Sequence, residues 1–98
     1  MQENAISVIE NLHFLQDLRI LNLDDNCITK IENLGCLPLL ETLQIKWNWI
    51  GANGLSDCVG LMEMKELAVL DIQENWIDDE KFLTDVLVHL PKLGVLYN

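Results

Sequence analysis

Basic residues are scarce in this chain: six Lys and Arg stand against 16 Asp and Glu among 98 residues, a formal charge of −10. Such a field repels phosphate backbones, so a nucleic-acid binder would need a local basic patch. Arg19, Lys30, Lys46, Lys65, Lys81 and Lys92 are instead scattered singly, which argues equally against attraction to anionic membrane surfaces. Long apolar runs are missing too: none reaches the ~18 residues needed to span a bilayer. The start Met1-Gln2-Glu3-Asn4 lacks the positive region and apolar stretch of a secretory signal. The sequence reads as soluble and intracellular, with neither nucleic acid nor membrane as partner. Cysteine is sparse. Cys27, Cys36 and Cys58 are an odd number with no close pairing and no histidine cluster beside them, so buried reduced thiols are expected rather than a disulfide framework or a zinc site.

What the chain has in plenty is a repeated apolar spacing, and its length allows one small domain, residues 1–98. The pattern LxxLxLxxNxI occurs as Leu18, Leu21, Leu23, Asn26, Ile28, again as Leu40, Leu43, Ile45, Asn48, Ile50, and again as Leu67, Leu70, Ile72, Asn75, Ile77. A further copy begins at Leu93 and Leu96, and the tail of an earlier one remains as Asn4 and Ile6. Three complete units with partial units at both ends follow. Apolar residues also recur three and six positions before each first leucine: Leu15 and Leu12, Leu37 and Leu34, Met64 and Leu61, Leu90 and Leu87.

A fixed period of this length predicts a solenoid. The motif resembles the leucine-rich-repeat signature, which implies an α/β horseshoe with a short parallel sheet on its concave face and helices or turns on its convex face. In each strand, alternate side chains face opposite ways, so Leu21 and Leu23 point into the stack while Ile20, Asn22 and Asp24 point out. Asn4, Asn26, Asn48 and Asn75 fall where the turn leaves backbone groups unpaired, and an Asn amide can satisfy both donor and acceptor there. Extra residues between Gly51 and Gly60 and between Asp78 and Val86 lengthen later units on the convex side. Ser56 or Asp57, and Asp78 or Asp79, are expected to cap longer helices there. Pro38 and Pro91, each two residues before a strand leucine, end a helix without breaking a ladder. The last unit stops just after Leu96, so an uncapped edge open to self-association is expected.

Little in the sequence serves catalysis. His13 and His89 fall in convex segments without a cysteine or serine at any recognised spacing, and read as surface or half-buried residues rather than general bases. Gly51-Ala52-Asn53-Gly54 lacks the lysine and the strand–helix order of a phosphate loop and reads as a turn. Asp78-Asp79-Glu80 at a helix start favours the macrodipole without any cation. No catalytic, metal or cofactor site is expected.

The outward columns are more specific. Down the stack they read Asn22, Gln44, Asp71, Tyr97; then Asp24, Lys46, Gln73; then Asp25, Trp47, Glu74; then Cys27, Trp49, Trp76. All three tryptophans of the chain are therefore expected outward, with Trp49 and Trp76 as neighbours. Tryptophan is enriched at the energetic centres of interfaces, although a ring between the Asn and the Ile could instead half-bury against the next turn with no partner. Asp24, Asp25, Asp71 and Glu74 form an acidic rim with Lys46 as its only base. That combination suits a protein partner with a basic helix or tail, whose cations can stack on the indoles.

The block Ile28-Thr29-Lys30-Ile31-Glu32-Asn33-Leu34-Gly35-Cys36-Leu37-Pro38 is similar to the 22-residue class of intracellular leucine-rich repeats, found in phosphatase-regulatory, spliceosomal and ciliary proteins. More narrowly, Ile31 to Leu34, Cys36-Leu37-Pro38, Leu40, Thr42-Leu43-Gln44, a lengthened unit, then Leu67, Val69 to Ile72, Asn75 and Leu90-Pro91-Lys92-Leu93 resemble the repeat region of axonemal dynein assembly factors. That resemblance spans about residues 26–98. It implies a non-enzymatic interaction module of the cytoplasm or the cilium or flagellum that helps to assemble or dock dynein arms. The competing expectation is a regulatory subunit of a protein phosphatase, or another leucine-rich-repeat scaffold.

Overall fold

The computed structural model describes residues 6–78, 80–81 and 85–98; Asn4 of the asparagine column and the capping candidate Asp79 lie outside them. Each repeat unit contributes one three-residue strand: β1 (Ile20–Asn22), β2 (Thr42–Gln44), β3 (Val69–Asp71) and β4 (Val95–Tyr97). Among the described residues these form one sheet in the order β1-β2-β3-β4. Every neighbouring pair is parallel, with Leu21, Leu43, Leu70 and Leu96 in register. A parallel pair needs a long crossover, and the remainder of each unit supplies it.

The inward columns are dry. Leu21, Leu43 and Leu70 are buried, as are Leu23, Ile45 and Ile72 in the next inward column and Ile28 and Ile50 beyond the turn, while Leu96 is half-buried. Each fully buried leucine or isoleucine contributes about 1.5 to 3 kcal/mol relative to exposure. The core is a single cluster that runs through all the units and takes in Leu34, Leu37, Leu61, Met64, Leu67 and Leu90 from the crossovers.

The crossovers repeat a tighter geometry than an α-helix. Leu15 N–H bonds to Leu12 carbonyl and Leu18 to Leu15; Leu37 to Leu34 and Leu40 to Leu37; Met64 to Leu61 and Leu67 to Met64; Leu90 to Leu87 and Leu93 to Leu90. These are successive i→i−3 bonds, whose period of three stacks every third side chain on one edge. That is the physical meaning of apolar residues three and six positions before each strand leucine. Pro38 and Pro91 occupy the second position of the turns closed by Leu40 and Leu93, where a proline pre-sets φ and needs no N–H.

The lengthened third unit departs from expectation. Its extra residues form a 3-10 segment, Leu55–Glu63, entered from Gly54 with no side-chain cap, so neither Ser56 nor Asp57 caps a helix. The Asp57 carboxylate turns back instead, its Oδ2 accepting from Gly51 N–H at 3.1 Å and Asn53 N–H at 3.2 Å. It thereby fastens the Gly51-to-Gly54 turn, in which Gly51 and Gly54 both have positive φ. The Asp57 carbonyl accepts from Ile31 N–H of the preceding unit at 2.8 Å. This draws the two backbones so close that a Cβ on Gly60 would lie 2.1 Å from the Ile31 carbonyl oxygen. In the next unit Asp78 does cap: its Oδ1 accepts from Lys81 N–H at 3.3 Å, and Glu80 and Lys81 are helical. A short 3-10 turn, Leu87–His89, follows.

The cysteines are free thiols, but only Cys58 is buried; Cys36 is half-buried, and Cys27 is exposed because its column faces outward. Burial, helped by the charge of Asp57, pushes the Cys58 thiol up to about 12. His13 and His89 are exposed, and His13 meets Phe14 edge to face with centroids 5.5 Å apart. No helix among the described residues is long and apolar enough to cross a membrane.

Candidate functional site

The turns that leave β1, β2 and β3 are held by Asn26, Asn48 and Asn75, and this ladder sets the positions of the tryptophans. Asn48 Nδ2 donates to Ile45 and Lys46 carbonyls of its own unit at 3.1 and 3.2 Å and to Leu23 carbonyl of the preceding unit at 3.0 Å. Its Oδ1 accepts from Ile28 N–H at 3.0 Å. Asn75 repeats the arrangement on Ile72, Gln73, Ile45 and Ile50, and Asn26 accepts from Ile6 N–H at 3.2 Å. Among the described residues no buried side-chain polar atom lacks a partner, so the column is structural.

Just past each asparagine the backbone ladder continues: Cys27 N–H bonds to Ile6 carbonyl, Trp49 to Ile28 and Trp76 to Ile50, at 2.8 to 2.9 Å. Equivalent residues of adjacent units are thus held side by side at roughly the ~4.8 Å strand spacing. The indoles of Trp49 and Trp76 stack as a result, with centroids 6.0 Å apart and planes 8° from parallel. Just before the asparagine the chain is left-handed: Asp25, Trp47 and Glu74 have φ of 59°, 59° and 58°. Glycine or asparagine suits such a position, and a bulky side chain there is an outlier. Trp47, Trp49 and Trp76 are nonetheless 56%, 50% and 63% exposed.

Trp47, Trp49, Trp76 and Glu74, with Asn48 and Asn75 at the base, line an open cavity of about 440 Å³. Of the residues expected on the outward face, these are the ones the structure brings together. Asp25 is exposed in the column of Trp47 and Glu74, and Lys46 is half-buried nearby. Tyr97 is exposed but lies on β4, in register with Asp71 and away from the indole cavity.

Two expectations are corrected. Asp24 and Asp71, expected on the outward face, are buried rather than solvent-exposed. Asp24 Oδ1 accepts from Lys46 N–H of the next unit at 2.8 Å. Asp71 Oδ1 accepts from Gln73 N–H at 3.2 Å and from its side-chain amide at 3.1 Å. The strands end after three residues, so simple alternation no longer holds at Asp24, and polar side chains there fold back onto N–H groups of the turn, as short Asx side chains do. Asn22, in the column of Asp71, accepts from Asp24 N–H in the same way. Burial raises the Asp24 carboxyl above its ordinary value, a rise opposed by the Lys46 N–H and the Lys46 charge.

The sheet face carries one column that the sequence reading did not single out as a site: Ile20, Thr42, Val69 and Val95 are in register, with Ile20 62% exposed. Its signal was present, since each stands immediately before an inward strand leucine. Ion pairs flank it, Arg19 with Glu41 at 2.6 Å and Lys92 with Glu66 at 2.5 Å. Among the described residues no group of three His, Cys, Asp or Glu is placed to hold a metal ion.

No curated protein matches the chain. Residues 14–30 and 36–57 match the Leucine Rich repeat family. Those segments contain β1 and β2 together with the turns that carry Asn26 and Asn48, and with the small parallel sheet they support a leucine-rich-repeat protein.

Proposed function

We propose that the chain is a non-enzymatic protein–protein interaction module, in which the sheet lines the inner face of a horseshoe and the tryptophan cavity anchors a basic segment of a partner. One observation carries the reading: three indoles stand at least half exposed around one cavity, on turns that the asparagine ladder holds rigid. Aromatic anchors on a rigid support are what give interfaces their energetic centres. Asp25 and Glu74 beside the rings supply the charge that steers a basic partner. The resemblance of residues 26–98 to axonemal dynein assembly factors extends the proposal to dynein-arm assembly, or another microtubule-linked complex of the cytoplasm or cilium.

The test is affinity capture with the wild-type chain and with a Trp49→Ser, Trp76→Ser variant, from flagellated and from non-flagellated cells. Dynein chains recovered only from flagellated cells, and only by the wild type, support the full reading. Recovery of a phosphatase from both sources would replace it by the regulatory-subunit alternative. Equal capture by wild type and variant would remove the tryptophan cavity from any role in binding.

A further inference from the structure

We infer that the tryptophan cavity recognises an arginine side chain of the partner, its guanidinium stacked on an indole face and hydrogen-bonded to the Glu74 carboxylate. This rests on the interaction reading above and narrows it to one chemical group.

The register builds a two-by-two arrangement: Trp47 and Glu74 share one column of adjacent units, and Trp49 and Trp76 share the next but one. All four line the same cavity. Three electron-rich ring systems and a carboxylate around one opening select a cation. Shape then selects among cations. The Trp49 and Trp76 planes are 8° from parallel, so the pair offers flat faces rather than walls converging on a point. A flat face suits a planar guanidinium, which is weakly hydrated and stacks, better than it suits the compact, strongly hydrated ammonium of lysine.

The carboxylate partner is available. Among the described residues neither Glu74 nor Asp25 takes part in an ion pair or a side-chain hydrogen bond, whereas the buried Asp24 and Asp71 are committed to the backbone. An arginine can therefore stack on an indole and present its N–H edge to Glu74 at once, the fork geometry that a lysine lacks. Trp47 stands in a left-handed backbone position that a smaller residue would occupy with less strain, so its place beside the cavity has a conformational cost that the fold itself does not require.

The test follows the three indole Nε1–H resonances of the full chain during titration with capped pentapeptides Gly-Ser-Xaa-Ser-Gly, in which Xaa is Arg, Lys or Pro, and with choline. One side chain binds weakly, so concentrations on the order of 10 mM are needed. The Arg peptide should shift the Trp49 and Trp76 signals saturably, about tenfold tighter than the Lys peptide. Glu74→Gln should weaken the Arg peptide about fivefold or more and the Lys peptide by clearly less, since the ammonium loses the charge but no forked pair of bonds. Equal response to Arg and Lys, preference for choline or for the Pro peptide, or no saturable shift would overturn the inference. If the Arg peptide fails while the capture experiment still depends on Trp49 and Trp76, the docking surface stands and its arginine specificity falls.

Discussion

Asn48 reaches back across a full repeat unit to donate 3.0 Å to the carbonyl of Leu23. The same amide donates to two carbonyls of its own unit and accepts from Ile28 N–H, so one side chain satisfies four backbone groups that the turn would otherwise bury unpaired.

Asn48→Ala should therefore cost well over the about 1 to 3 kcal/mol of a single unsatisfied buried group. Asn53→Ala, in the exposed turn after Gly51, should stay within about 0.5 kcal/mol of wild type. Urea midpoints check this, and equal midpoints would contradict the ladder.

Glycine 60 tests the close approach of the long unit to its predecessor. A methyl group at Gly60 would sit 2.1 Å from the Ile31 carbonyl oxygen, whereas one at Gly94 meets nothing within 4 Å. Gly60→Ala should lose at least about 1 to 3 kcal/mol through forced separation of the backbones. Gly94→Ala should be neutral or slightly stabilising, since it restricts the unfolded chain without a clash. Thermal melts of the two variants that coincide would refute the packing of the 3-10 segment on Ile31.

How far each residue of the outward face is legible depends on where its strand ends. Leu21, Leu43 and Leu70 were legible because a two-residue alternation needs only three residues to declare itself, and Asn26, Asn48 and Asn75 because a buried turn leaves few other ways to satisfy its backbone. Alternation carried past the end of β1 makes Asp24 look solvent-facing, whereas Asp71 is the last residue of β3 and is buried with its carboxylate folded onto the backbone and side-chain amides of Gln73. The positive φ of Asp25, Trp47 and Glu74 had no signal, since none is glycine or asparagine. The 3-10 crossovers were written in the strict spacing of three, although a longer helix with a side-chain cap was the expected form of the third unit. For the cavity, the column order placed Trp49 beside Trp76 and Trp47 beside Glu74, and the structure lines one opening with all four.

The buried carboxyl of Asp24 makes a pH signature. Its folded pKa is raised above the ordinary 3.8, chiefly by burial, so the folded state holds that proton more tightly than the unfolded state does. The group's stabilising contribution is complete below 3.8 and is lost as pH rises through the folded value. Asp24→Asn keeps an acceptor for Lys46 N–H but cannot ionise. Its stability relative to wild type should rise as pH climbs from below 3.8 through the folded value and be flat above it. Denaturant titrations at several pH values check the sign, and a relative stability that falls over the same window would show that the carboxylate is stabilised where it sits.

The tryptophans give the most direct check on the face itself. Trp49 and Trp76 stack on each other but leave half or more of their surface to solvent, and neither belongs to the core cluster. Emission of the free protein should be red-shifted and readily quenched by acrylamide. Replacing both rings by Ser removes an exposed aromatic pair worth about 0.5 to 1.5 kcal/mol beyond area, so the double variant should fold and melt only slightly below wild type. Trp47→Asn should hold or raise stability, because asparagine tolerates the left-handed backbone at φ 59° that tryptophan occupies under strain. The two results point opposite ways for a reason: the stacked pair adds a little to the fold, and Trp47 subtracts from it. Blue-shifted, protected emission, together with unfolding of the double variant, would make the rings part of the core and leave the cavity without its anchors.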